Sequence, residues 1–413
     1  MKVPDVRQAL AAALFAAAIG LLWLAFSREE TVPARPPEPA AAPYQSRDWS
    51  APHQAKLNIS LFTYRDRNRN GRYDVGDLPM GSVVVKLERP AAQPLEHPSN
   101  INGFANFQMS WQRDDADISQ AGVDYGFEVE VPPGWIVTSG NTRQMVSFRR
   151  LEGSVAGLVA LSPPAPVGLA PVLTISGRVS AAAGEGGESV AKDTRLSAID
   201  PRGRELAPPV DDSGAFTLDA EPGSWVLVAE YVPTGEVLRR ELVVSDGPVR
   251  IATLQFGQEH PEPLPSLFTQ DFDYLTRSPL GKIPGGMGGL DWDYLVAVDN
   301  QTYNGPGFVN VLRAGKNVGY NSSGHPVTIT PAPDGRHFDF VGGWFGVAWP
   351  DAEGETLSVE AWRGGQSIAR EELVLSYLGP VWFDADFRQI DRLTLSTAHY
   401  WQFIAEDMVF RTE

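Results

Sequence analysis

An all-β chain of several domains, three β-sandwich modules behind one N-terminal transmembrane helix, is what this sequence predicts. Three observations carry the expectation. An uncharged apolar run opens the chain, proline-rich stretches punctuate the rest, and short β-branched or aromatic runs bounded by Gly, Pro, Asn and Asp lie between them. The 413 residues exceed one ordinary domain, 40 Gly and 34 Pro favour many turns, and 43% hydrophobic residues is ample for packed cores.

The first element is the run ALAAALFAAAIGLLWLAFS from Ala9 to Ser27, which as a helix spans roughly 28 Å, close to a bilayer core. Lys2 and Arg7 precede it, so residues 1–30 read as a cytoplasmic tip and anchor in the inner membrane, with everything beyond exported to the periplasm. A cleaved signal peptide is the alternative, because Ala25 and Ser27 are small residues at a plausible cleavage position. Residues 31–55 are rich in Pro and Ala without apolar period and read as a semi-rigid spacer.

The first module, 56–162, carries the most specific signal. DRNRNGRYDVGD places Asp66, Asn68, Asn70, Arg72, Asp74 and Asp77 at positions 1, 3, 5, 7, 9 and 12 of an EF-hand-type loop, with Gly71 at position 6. A hard Ca2+ ion takes six to eight oxygens, and this spacing supplies carboxylates, amides and, from Arg72, a backbone carbonyl. Asp77 stands where the pattern has Glu, and its shorter arm predicts modest affinity. The flanks are not helical: Leu57, Ile59 and Leu61 alternate upstream, and Val83, Val84, Val85 and Leu87 follow downstream. An ion here would pin a strand-to-strand connection; an Asx-rich turn without metal is the bland alternative. Together with Asn102-Gly103-Phe104 and Pro132 to Trp135, these residues resemble the calcium-binding B-type repeats of serine-aspartate-repeat surface adhesins. That resemblance implies an immunoglobulin-like or prealbumin-like sandwich.

Residues 163–171 read as a second linker, and 172–257 as a second module. Its segments ISGRV, DDSGAFTL and PGSWVLVAEY look like the carboxypeptidase regulatory-like β-sandwiches, with Asp211 and Asp212 serving an Asx turn. Residues 258–265 read as a third linker. The last module, 266–413, holds Trp292, Trp344, Trp349, Trp362, Trp382 and Trp401 of the chain's 11 Trp. GGMGGLDWDYL, the Phe338–Phe340 strand and the closing acidic pair resemble galactose-binding-like jelly rolls of exported bacterial and fungal proteins. The resemblance implies a jelly roll and a second ion site at Asp271, Asp273, Glu406 and Asp407. Trp292, Trp344 and Trp382 are the aromatics that would stack on a sugar, against the simpler reading that they fill the core.

Catalytic chemistry is hard to find. Zero Cys removes disulfides and thiolate chemistry, and the six His are scattered without metal spacing. Carboxylate pairs such as Asp291/Asp293 and Asp384/Asp386 stand alone, with no nucleophile elbow, P-loop or dinucleotide motif. A net charge of -17 argues against nucleic acid. The expectation is a non-enzymatic, anchored extracytoplasmic scaffold that stabilises a membrane assembly through its helix and β-modules. The alternative is a carbohydrate-binding envelope protein using the jelly roll.

Overall fold

Period-2 burial builds the framework. Along the Lys56–Arg65 strand, Ile59, Leu61 and Thr63 turn inward, and antiparallel pairing with Phe104–Ser110 sets Ile59 opposite Phe107 and Leu61 opposite Ala105. A second sheet is laid over it by Val84–Arg89, which pairs with Ala92–Pro98 on one side and Asp124–Val129 on the other. Between the two sheets lie Leu61, Val85, Phe107 and Phe127, the two rings meeting edge-on at 5.9 Å. Each such side chain contributes roughly 1.5–3 kcal/mol on burial. The structure, a computed structural model, describes residues 56–89, 92–110, 124–150, 158–160, 163–181, 187–258, 260–274 and 278–413. The expected membrane helix at 1–30 and spacer at 31–55 lie outside the described residues, among which no helix is long and apolar enough to cross a membrane.

The segment expected to be a linker at 163–171 is instead structural. Val167–Pro171 is a fully buried strand, parallel to Lys56–Arg65 and antiparallel to Trp135–Val137. Proline masked it in the sequence, yet the prolines fall before the strand and at its last residue, where a missing N–H costs no central ladder bond.

The second lobe pairs Thr174–Ala181 with Ala215–Asp219, and stacks Thr194–Ile199, Gly223–Tyr231 and Glu236–Val244 as an antiparallel sheet. Trp225, Phe216 and Tyr231 fill its core. Asp211 Oδ1 accepts from the N–H groups of Ser213 and Ala215, the Asx turn read from the sequence. In the third lobe one sheet carries Phe338–Val347 between Val381–Ile390 and Phe403–Thr412, and the facing sheet runs through Val327–Pro331, Arg392–Thr397 and Thr356–Arg363. Phe338, Phe340, Phe345 and Phe410 are fully buried between them.

The lobes are not strung on free hinges. Val249–Ile251 pairs parallel with Thr174–Ala181 on one edge and with Val381–Ile390 on the other, so a single eleven-stranded sheet runs from the second lobe into the third. The linker expected at 258–265 is pinned: Leu264 N–H donates to Asp339, the Pro261 carbonyl accepts from Arg388 and the Glu262 carbonyl from Gln389. All described residues belong to one compact unit.

Candidate functional site

The loop from Asp66 to Asp77 closes on itself. Asp66 has no exposed surface, and its carboxylate accepts from the N–H groups of Asn70 at 3.2 Å and Gly71 at 2.7 Å. Gly71 holds φ +76°, and a Cβ there would stand 2.8 Å from the Thr138 carbonyl oxygen, so only glycine fits. The amides of Asn68 and Asn70 reach the Asp74 carboxylate at 3.0 and 2.7 Å. Asp77, nearly buried, accepts from the N–H groups of Arg67 and Asp74, both at 3.0 Å. Burial pushes the Asp77 carboxyl up, and burial together with the charges of Asp66, Asp77 and Asp74 pushes the Tyr64 hydroxyl up to about 12. Each of these side chains carries an oxygen, the donor type Ca2+ requires, but the Asn68 and Asn70 amide nitrogens face Asp74, and Asp66, Asp74 and Asp77 do not converge as a metal-holding group. Arg72 contributes no side chain to this cluster; its N–H donates to Asn70 Oδ1 at 2.8 Å.

What the sequence did not disclose is where this loop stands. Arg67, at its second position, donates Nε to Asp246 of the second lobe at 2.7 Å and Nη1 to the Arg313 carbonyl of the third at 2.6 Å. Asp246 also accepts from Arg65 at 2.8 Å and Arg313 at 3.3 Å, so one nearly buried carboxylate joins cations from the first and third lobes. Burial alone would raise the Asp246 pKa, but the charges of Arg65, Arg313 and Arg67 outweigh it and hold the carboxyl well below its usual range. Arg65 Nη1 also donates to the carbonyls of Asn310 and Leu312. Asn310, itself buried, answers Gly81 of the first lobe with both its amide groups and reaches the Tyr377 carbonyl. Leu378 of the third lobe packs into the first lobe's core. One signal for this junction was legible: Arg65 falls on the inward face that Ile59, Leu61 and Thr63 define, where a charge demands a buried partner. Nothing local marked Asp246.

The other expected site residues are brought near each other but are otherwise engaged. Glu406 accepts from the N–H groups of Arg313 and, at 3.0 Å, Ala314, while Asp407 binds the Arg313 guanidinium at 2.8 Å. Asp273 accepts from Lys316 N–H and from both the N–H and amide of Asn317, and Asp271 from the Asp273 N–H. Arg313 thus engages Glu406 and Asp407, two of the four carboxylates expected to share an ion, and among the described residues no three His, Cys, Asp or Glu side chains form a metal-holding group. The sugar-stacking expectation is corrected for Trp344, which is 3% exposed with the Arg313 guanidinium over its ring at 4.4 Å. Trp382 lies 5.5 Å from Trp344 and packs against the second lobe's core. Trp292 stands edge-on to Phe410 at 5.3 Å and donates Nε1–H to the Met287 carbonyl. These aromatics are packing groups, Trp292 against its own lobe's core and Trp382 against the second lobe's.

Fold and site together define a class: a multi-sheet β protein whose lobes are locked by a buried charge cluster beside an acidic loop. No protein-family model matches the chain, and no curated protein matches it. Among solved structures it is similar to the Bacillus anthracis TIE protein at 7% identity and TM-score 0.20, over 49% of this chain and 33% of that one. It is similar to the shaft pilin SpaA of Lactobacillus rhamnosus GG at 12% identity and TM-score 0.22, over 50% of this chain and 100% of that one. The CBM51-2 and INT domains of Clostridium perfringens ZmpB match at 9% identity and TM-score 0.23, over 57% of this chain and 47% of theirs. The chain spans about a third of the length of the TIE protein it matches.

Proposed function

We propose that this chain is a non-enzymatic scaffold or accessory subunit, anchored in the inner membrane by residues 9–27, that braces the extracytoplasmic face of a membrane protein assembly. The observation supporting this reading is the interlock at Asp246. A body built to present a fixed surface needs its lobes held in register, and here one carboxylate and one shared sheet couple all three. The apolar N-terminal run would tether that body beside its partner. Ca2+ belongs to the same proposal. Held by Asp66, Asn68, Asn70, Asp74 and Asp77 with the Arg72 carbonyl, it would neutralise the loop from which Arg67 reaches the other lobes. The likeness of this loop to adhesin B-type repeats supports the assignment.

The test is purification of the native protein from membranes in mild detergent. Co-migration with one or more membrane proteins in stoichiometric amount is the expected result. Migration alone, at about the mass of the single chain, overturns the scaffold reading.

A further inference from the structure

A cleft of about 600 Å³ opens where the second and third lobes meet. Its size falls in the range of small-ligand sites, roughly 300–1,000 Å³. On a chain of net charge -17 its walls carry more cations than anions: Arg240, Arg363, Arg370 and Arg388 line it, against the carboxylates of Glu371 and Asp386. Three of these cations are held in place. Arg388 forms a two-pronged pair with Asp386 at 2.8 and 3.0 Å, Arg240 bonds Asp384 and Asp386, and Arg363 donates to the backbone carbonyls of Gln389 and Arg388. The carbonyls leave the Arg363 charge uncompensated. Arg370, exposed on the edge strand Gln366–Val374, bonds no side chain among the described residues. The neighbouring Glu371 also lines the cleft, but its carboxylate is engaged, accepting from Thr253 N–H at 2.7 Å and facing Arg250 at 3.9 Å.

We infer that this cleft binds a small carboxylate-bearing saccharide. Arg363 and Arg370, the two lining guanidinium groups that no carboxylate pairs among the described residues, favour an anion, and a planar carboxylate matches the fork of Arg370 in two parallel bonds. The remaining lining favours hydroxyl groups over peptide side chains, because Thr253, Gln255 and Gln258 offer donors and acceptors where an apolar pocket would be needed for a peptide anchor. Arg388, Arg240 and Arg363 are anchored in advance, so binding orders little beyond Arg370. The site lies apart from the calcium loop and stands independently of the scaffold reading.

Titration calorimetry on the full-length chain decides it, using a glucuronate-containing disaccharide, its neutral glucose counterpart and inorganic phosphate. The acidic disaccharide binds at least tenfold more tightly than either control. Arg370→Ala weakens it at least tenfold without moving the melting temperature, Arg370→Lys restores part of the loss, and Arg239→Ala, at an exposed arginine outside the cleft, changes nothing. No binding of the acidic disaccharide, equal affinity for the neutral one, phosphate bound as tightly, or full affinity in Arg370→Ala each overturns the assignment.

Discussion

Asp246 holds three guanidinium groups on one carboxylate, and its burial fixes the consequence of losing it. Asp246→Ala would leave Arg65 desolvated without its counter-ion, and removing one partner of a buried pair costs about 3–5 kcal/mol. Denaturant unfolding should show that loss; a change under about 0.5 kcal/mol, ordinary for a surface site, would mean the cluster is not holding the lobes. The pH dependence has two opposite limbs. Because the folded Asp246 pKa is depressed, its contribution is present above the unfolded value near 3.9 and is lost as pH falls below it. Glu406 runs the other way. Burial raises its carboxyl to about 8, so the folded chain keeps a proton that the unfolded chain releases above about 4.3. Stability should therefore decline from about pH 4.3 to 8, by up to about 1.4 kcal/mol per pH unit. Glu406→Gln should flatten that decline, as read from melting temperature against pH. For the loop, Ca2+ at a hundredfold excess over its dissociation constant would add about 2.7 kcal/mol. A chelator should lower the melting temperature of the native chain and leave Asp66→Ala unmoved; identical curves with and without chelator would remove calcium from the account. Asp66, Asn68, Asn70, Asp74 and Asp77 were legible because five oxygen side chains and a glycine keep a fixed local spacing. Asp246 was not, since its partners lie 181 residues away at Arg65 and 67 away at Arg313.

At the scale of elements, alternation was legible and pairing was not. Leu57 to Leu61 and Tyr125 to Val129 were readable as strands because apolar residues recur at every second position in the sequence. The short strand Val249–Ile251 escaped notice, three residues without a period of their own, yet it joins two lobes into one sheet. Ile251 is fully buried in it, so Ile251→Ala should cost about 2–5 kcal/mol. The same substitution should expose the 258–265 segment to protease sooner than in the native chain, since the strand leads into it; unchanged cleavage would place the coupling elsewhere. Val167–Pro171 was hidden for a different reason. Its prolines match linker composition, while what makes it a strand is a parallel partner laid down a hundred residues earlier.

For the whole molecule, continuity of the sheet and the Asp246 cluster predict shared unfolding. Scanning calorimetry of the native chain should give one dominant transition with calorimetric and van't Hoff enthalpies in agreement. Separate transitions for the three lobes would return the molecule to beads on hinges. By itself the sequence determined the β class, the positions of most strands and the acidic loop, because turn chemistry, period-2 burial and ligand spacing are written in neighbouring residues. Only the tertiary structure decided that the linkers are strands and pinned segments, that Trp344 and Trp382 face other lobes, and that Arg313 stands among the carboxylates expected to hold a second ion. Those outcomes depend on which distant surfaces are desolvated against each other, and no local pattern records that.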